Sequence, residues 1–224
     1  MDDFFSGRLS AQRVNVVITF DDGYKSWVTN VLPILKRLEL PGTFFISSGF
    51  VGLTQKEQSE FMRSKLSLKP TPDSIIGGLA VDDVKKLAEE GFTVGGHTVN
   101  HYNLAKIPDE AELRYEIAED KQRLEKIIGG KVEYFAYPFG AFQHPDIDIP
   151  RLLRESGYKG AVTTKSGFND LGVTHPYLLH REITYASMSG SVFKARALGN
   201  YDAVSFLKRQ GKNINTLERK QQKA

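Results

Sequence analysis

The sequence predicts a single α/β domain organised around a mainly parallel sheet. Short runs rich in β-branched and aromatic residues alternate with longer segments in which apolar residues recur at helical spacing. The alternation continues through residues 1–200 without a break in composition and without an internal repeat. Such chains typically form a parallel sheet, with the chemistry at the carboxyl ends of the strands.

The first elements are predicted as strand, helix and strand. Residues 14–19 are mostly β-branched, which is typical of a buried strand. A helix is predicted over 30–39, where apolar residues as far as Leu38 recur at helical spacing and Asn30 can cap the first turn. A proline and a glycine end this helix, and residues 43–46 form the next predicted strand.

Residues 50–80 show no clear period and are predicted to form a long loop, of the kind that shapes a binding site, unless they hide a short helix. A helix over 82–90 follows, which an acidic residue caps and Gly91 ends. A third strand is predicted over 92–94, just before the glycine pair that precedes His97.

The second half of the chain predicts the remaining helices and strands. Asp109 and Glu112 form a capping pattern that opens a helix over 109–128, and two glycines end it. Further helices are predicted over 151–156 and 203–209, and further strands over 132–137, 160–164 and 178–185.

The composition is that of an ordinary globular protein, and it excludes several classes of function. Hydrophobic residues make up 40% of the chain and charged residues 25%, and no apolar run is long enough to span a membrane. The chain has no cysteine, which excludes disulfides and thiolate metal ligands. Residues 1–200 carry 24 basic and 25 acidic residues, so this part offers no electrostatic case for nucleic acid.

We expect one domain over residues 1–200 and a basic, partly helical tail over 201–224, which has six basic and two acidic residues. The first ten residues lack the apolar run of a secretory leader, so a cytoplasmic location is the expectation for the chain as it stands. A chain trimmed of a leader or anchor would look the same, which leaves an extracytoplasmic location open. The oligomeric state cannot be read from the sequence.

Two short motifs carry the groups of a metal hydrolase. Asp21 and Asp22 are adjacent at the end of the first predicted strand, and His97 and His101 stand four residues apart, on one side of a predicted helical turn. Two imidazoles and a carboxylate can hold a divalent metal and leave a coordination position open for water. The second carboxylate can then act on that water as a base.

Each motif is weak when taken alone. An Asp-Asp-Gly sequence after a strand is most often a turn, and histidine pairs at this spacing occur by accident on surface helices. No usable base lies between His97 and His101, where some metalloproteases carry theirs, and Asp21 beside Asp22 supplies one. Both motifs and the segment 138–140 follow predicted strands, which places all three on one rim of the sheet.

The chain resembles the polysaccharide deacetylase family, carbohydrate esterase family 4 with its NodB homology domain. The resemblance rests on three ordered motifs, which are TFDDG at 19–23, HTVNH at 97–101 and YPFG at 137–140. It extends over about residues 14–185. The fold that it implies is a distorted (β/α) barrel.

The resemblance also implies roles for individual residues. Asp22, His97 and His101 would be the ligands of a divalent metal, with zinc as the expected ion. Asp21 would be the general base, and the backbone N–H of Phe139 would help to bind the oxyanion.

Two departures from the common family pattern concern the groups around the base. The third motif commonly carries an arginine before its proline, which pairs with the catalytic aspartate, and residues 134–137 contain none. A subgroup has an arginine on a later strand in an L-x-R pattern, which Arg181 fits, so Arg181 is expected to hold Asp21. Leu179 and His180 also match the fifth motif, whose histidine is the general acid. One stretch therefore satisfies two alignments, and His180 as the acid stays open.

The resemblance implies a hydrolase that acts on carbon–nitrogen bonds other than peptide bonds. Its substrate would be an acetylated glycan or a lipid-linked sugar, with N-acetyl groups expected ahead of O-acetyl groups. Two alternatives stay open, a related hydrolase of a small amide or ureide and a non-catalytic glycan-binding protein with a vestigial site. Metal content and acetate release separate them.

Overall fold

The computed structural model describes residues 15–68, 77–170, 172–185 and 187–198 of the chain. At its centre lies a sheet of five strands, each of which pairs in parallel with the next one along the sequence. The strands are β1 (Thr19–Phe20), β2 (Thr43–Ile46), β3 (Thr93–Gly96), β4 (Tyr134–Ala136) and β5 (Gly160–Val162). The order never reverses, so the sheet curls in one direction as a half-barrel. The predicted α/β fold with a parallel sheet is confirmed.

Helices occupy the connections, since parallel neighbours need a crossover between them. They are α1 (Leu32–Arg37), α2 (Gln55–Ser64), α3 (Val81–Glu89), α4 (Glu110–Arg114), α5 (Asp120–Ile128), α6 (Ile149–Glu155) and α7 (Gly190–Ala197). A π-helical turn, Trp27–Val31, leads into α1, and a second one, Tyr115–Glu119, joins α4 to α5. Short 3-10 turns follow β2 at Ser48–Phe50 and β4 at Pro138–Gly140.

The core lies between the sheet and the helices. β2 is buried along its whole length, which explains why its four residues form a continuous run without a polar face. The ring of Phe44 stacks on that of Phe20, with 5.0 Å between the centroids, and lies 5.3 Å from that of Trp27. This packing fixes the strand ends from which the candidate site residues come.

The prediction of a buried strand over 14–19 is wrong in its extent. β1 has two residues, and Val16 and Val17 before it are 58% and 42% exposed. β1 stands at the edge of the described sheet, so the residues before it have a neighbouring strand on one side at most. Residue 14 itself lies outside the described residues.

The prediction of a strand over 178–185 is also wrong. Within this range, Leu179 forms a single bridge, to Val162 of β5. The segment nevertheless runs beside β5, because the N–H of Thr163 donates to the Leu179 carbonyl and the N–H of Arg181 donates to the Lys165 carbonyl. This extended segment carries Arg181 to the rim of the sheet.

Residues 50–80 contain the short helix α2, so the alternative of a helix within the predicted loop is correct. The sequence did not locate this helix because the segment shows no apolar period. The helix begins with a capping box between Thr54 and Glu57. Residues 69–76, the predicted helix over 203–209 and the basic tail over 201–224 all lie outside the described residues.

The first helical segment begins at Trp27, three residues before the predicted cap at Asn30, and its predicted face residue Leu38 is exposed. Among the residues that the structure describes, none of the helices has the length and apolar character that a membrane span needs.

Candidate active site

Three side chains from two strand ends form a group that could hold a metal ion. Asp22 follows β1, and His97 and His101 follow β3. One ligand atom of each residue lies within 4.8 Å of the others. The Nε2 atoms of His97 and His101 lie 3.3 Å and 3.1 Å from the same oxygen, Oδ1 of Asp22. The structure therefore brings together the three residues predicted as ligands.

The backbone that carries the two histidines is a loop, so the predicted helical turn is wrong. Thr98 and His101 have φ angles of 67° and 53°, in the left-handed region that residues other than glycine seldom adopt. The N–H of Val99 donates to the carbonyl of Glu116, 3.2 Å away, in the neighbouring π-helical turn. Contacts to another element thus replace the bonds that a local helix would make.

Backbone carbonyls fix the orientation of both imidazole rings. Nδ1 of His97 lies 2.6 Å from the carbonyl oxygen of Ala136, and Nδ1 of His101 lies 3.3 Å from that of Lys65. A carbonyl oxygen accepts and cannot donate, so each Nδ1 carries a hydrogen, and a neutral ring then has its lone pair on Nε2. Both lone pairs face the same carboxylate oxygen of Asp22. This arrangement is favourable when a cation or a proton lies between the ring nitrogens and that oxygen.

This donor set fits a divalent cation such as zinc, because two imidazole nitrogens and a carboxylate oxygen are ordinary ligands of such ions. Burial acts to raise the pKa of Asp22, but the hydrogen bonds and charges of His101 and His97 outweigh it and hold that pKa well below its usual range. The ionised carboxylate that this low pKa favours is the form that can bind a metal ion. Both histidines are buried, and the Asp22 side chain is partly exposed.

Asp21 points to a different partner from Asp22. Its two carboxylate oxygens accept hydrogen bonds of 2.7 Å each from Nη1 and Nη2 of Arg181. Arg181 is itself fixed, because Nη1 also donates to the hydroxyl of Thr19 and Nε donates to the carbonyl of Thr163. A bidentate pair of this kind fixes the plane of the carboxylate as well as its position. The adjacent aspartates thus have separate surroundings.

Phe139 lies beside the histidine pair. Its ring is 4.8 Å from that of His101, in an edge-to-face arrangement, and 56% of the residue is exposed. Its φ angle is 61°, a strained value for a bulky residue, in the turn directly after β4. The third motif therefore reaches the same rim as the first two.

His180 is not brought to this group by any described contact. Its Nδ1 lies 3.1 Å from the carbonyl oxygen of Phe168, and its backbone pairs with the side chain of Asn169. The neighbouring Arg181 points to Asp21, and successive side chains of an extended segment point to opposite sides. The general-acid role of His180 stays a prediction.

Two buried carboxylates near the histidines were not predicted from the sequence as part of the site. Asp120 accepts hydrogen bonds from the N–H groups of His97 and Ser48, and Glu116 accepts from Asn100. Burial raises the pKa of Asp120 to about 7, against the lowering effect of these hydrogen bonds. A signal was available, because both acids fall at helical spacing from Leu113 and Leu124, on the apolar face of the predicted helix.

Similarity to known proteins covers most of the chain. The family model described as polysaccharide deacetylase matches residues 10–161. YxkH of Bacillus subtilis (strain 168) is 25% identical to this chain, and the match covers 80% of the chain. The chain spans about half of the YxkH sequence, 55% of its length. The peptidoglycan-N-acetylmuramic acid deacetylase PdaA of the same organism is 26% identical over 97% of this chain and 74% of its own length.

Solved structures agree with the half-barrel. IcaB from Ammonifex degensii has a TM-score of 0.67 and 26% identity, and the match covers 88% of this chain and 78% of that one. The Streptococcus pyogenes deacetylase PplD in complex with acetate has a TM-score of 0.66 with 21% identity, over 86% of this chain and 74% of that one. These likenesses confirm the predicted barrel type, and the family match supports a hydrolase of carbon–nitrogen bonds. With more than half of its length matched by the family model, the chain belongs to the polysaccharide deacetylase family.

Proposed function

We propose that this chain is a metal-dependent hydrolase that removes N-acetyl groups from a glycan. The observation that carries the proposal is the separation of the adjacent aspartates, with Asp22 against His97 and His101 and Asp21 held by Arg181. A metal site with a separate, oriented base is what the hydrolysis of an amide by water needs.

In this proposal Asp22, His97 and His101 hold a divalent cation, with zinc as the expected ion. When bound, such a cation polarises a carbonyl group and makes water more acidic. The chain's own contribution is the fixed set of Nε2 and Oδ1 atoms, with the rings oriented by backbone carbonyls.

Asp21 takes the proton of the attacking water while Arg181 keeps the carboxylate oriented. The backbone N–H of Phe139 donates to the oxyanion that develops on the acetyl oxygen. The carbon–nitrogen bond then breaks, and protonated Asp21 can return its proton to the leaving amine. Water and amide become acetate and amine, so the reaction balances without a second acid, and His180 is then an additional donor at most.

For the substrate we propose an N-acetylated polysaccharide of the peptidoglycan type. The support is the relatives, since PdaA is a peptidoglycan-N-acetylmuramic acid deacetylase, and a 28% identical relative from Bacillus cereus is a peptidoglycan-N-acetylglucosamine deacetylase. The Bacillus cereus match covers 61% of this chain and 39% of that protein.

Acetate release from three glycans tests the proposal, with hydrolysis of a small amide or ureide measured beside it. We expect the metal-loaded protein to release acetate from N-acetylated peptidoglycan fragments or chito-oligosaccharides, and little from an O-acetylated xylan. Release from the xylan alone would contradict the N-acetyl assignment. Hydrolysis of a small amide or ureide with all three glycans untouched would contradict the glycan assignment.

A further inference from the structure

We propose that Glu116 and Asp120 form a carboxylate clamp that sets the loop of His97 and His101 in its metal-binding shape before a metal binds. The inference rests on the proposed metal site and adds two positioning residues to it. The two acids are one helical turn apart, on the side of the π-helical turn and α5 that faces the loop. Both side chains are buried, Glu116 with 1% and Asp120 with 0% of the residue exposed.

Asp120 holds the start of the loop. Its Oδ2 accepts from the N–H of His97 at 2.8 Å, and its Oδ1 accepts from the N–H of Ser48, after β2, at 2.9 Å. One carboxylate thus joins the ends of two neighbouring strands. Gly96 leaves the room for it, because a Cβ atom at that position would lie 2.7 Å from Oδ2 of Asp120.

Glu116 holds the other end of the loop. Its Oε2 accepts from the backbone N–H of Asn100 at 2.8 Å, and its Oε1 accepts from the Asn100 side-chain amide at 2.6 Å. Asn100 directly precedes His101. The clamp therefore acts on one backbone group at each end of the five-residue motif.

The loop needs such support because its backbone is strained. Thr98 and His101 have positive φ angles, and residues stay in that region only where their surroundings determine the conformation. Burying a carboxylate also costs free energy unless donors surround it. An apolar residue would fill the same helix face without that cost, so the benefit of the two acids lies in the loop that they hold.

Asp120 and Glu116 accept hydrogen bonds from different kinds of donor, and this difference allows a specific test. Asp120 is bonded by two backbone N–H groups, which cannot reverse, so an amide nitrogen in Asp120→Asn would face a donor. Glu116 accepts from one backbone N–H and from the side-chain amide of Asn100. This amide can rotate so that its oxygen faces residue 116. Glu116→Gln can therefore keep both bonds, whereas Glu116→Ala loses them.

Titration with Co²⁺, followed by calorimetry and by the visible spectrum of the bound ion, tests the clamp. We expect Asp120→Asn and Glu116→Ala to weaken Co²⁺ affinity by about 10-fold or more and to alter the spectrum. Glu116→Gln and the core control Leu124→Ala, on the same helix and equally buried, should stay within about threefold of the unchanged protein.

Equal Co²⁺ affinities and spectra in all four variants would overturn the clamp and leave the metal site standing. An equal loss in Leu124→Ala would also overturn it, because loss of helix packing would then explain the effect. If the unchanged protein bound no Co²⁺, both the proposed metal site and the clamp would fall.

Discussion

Arg181 binds both carboxylate oxygens of Asp21 through two hydrogen bonds of 2.7 Å, although the two residues are 160 positions apart in the chain. The pair is partly buried, with 14% of the Arg181 side chain and 29% of the Asp21 side chain exposed. Two parallel charge-assisted bonds hold the carboxylate in one plane beside the group of Asp22 and the histidines. This arrangement suits the role proposed for Asp21, in which its carboxylate accepts a proton from one direction.

Asp21→Asn is expected to lower acetate release by about 10²- to 10⁴-fold, because an amide cannot accept the proton of water. Metal affinity should change little, since Asp21 lies outside the ligand group. Acetate assays and calorimetric metal titration measure the two effects. Asp82→Asn, at a side chain that is 92% exposed, is the matched control and should behave as the unchanged protein. Near-normal turnover in Asp21→Asn would remove Asp21 from its proposed role.

Arg181→Lys is expected to lower kcat by about 10-fold or more with metal affinity unchanged. Lysine keeps the charge but cannot donate two parallel bonds to Asp21 and a third to the Thr163 carbonyl. Steady-state kinetics with metal-saturated protein measure this. Arg63→Lys changes an exposed residue in the same way and serves as the control. A kcat equal in both variants would mean that the bidentate geometry does not matter.

His97→Ala is expected to lose most of the metal affinity, because it removes one of the three proposed ligands and leaves Asp22 facing a cavity. Metal content after dialysis measures the loss. His175→Ala removes an imidazole from the exposed surface and should retain the metal. Retention of a full equivalent by His97→Ala would place the metal elsewhere.

Gly96→Ala is expected to destabilise the fold by about 1–3 kcal/mol, because the new methyl group would collide with the hydroxyl of Tyr158 and with Asp120. Thermal unfolding should show a lower Tm. Gly190→Ala is the control, since a Cβ there meets nothing within 4 Å. An unchanged Tm in Gly96→Ala would show that the space beside His97 is not tightly filled.

The sequence predicted the order of the elements well wherever apolar residues mark a strand or a helix face. β2 lies at its predicted position, and Gly129, in the left-handed region, ends α5 as expected. The first strand was predicted too long, since β-branched residues do not reveal which of them lie at a sheet edge. α2 was left as an open alternative within the predicted loop, because its burial is confined to Phe61 and Met62 at one end.

The residues of the candidate site that belong to the sequence motifs could be predicted. Asp22, His97 and His101 meet because the ends of β1 and β3, which they follow, lie on the same rim of the sheet, and this follows from the topology. The loop shape of the histidine motif was not predictable, since the backbone N–H groups of His97, Val99 and Asn100 bond to residues that are distant in sequence, among them Glu116 and Asp120. Spacing alone could not distinguish this loop from a helical turn.

The most direct test of the proposed function is the rate of acetate release as metal is added back to chelator-treated protein. With N-acetylated peptidoglycan fragments as substrate, we expect no release without metal. The rate should then rise to a plateau at one equivalent of Zn²⁺ per chain. Full release in the presence of chelator, or none at any amount of metal on any acetylated glycan, would contradict the proposed function.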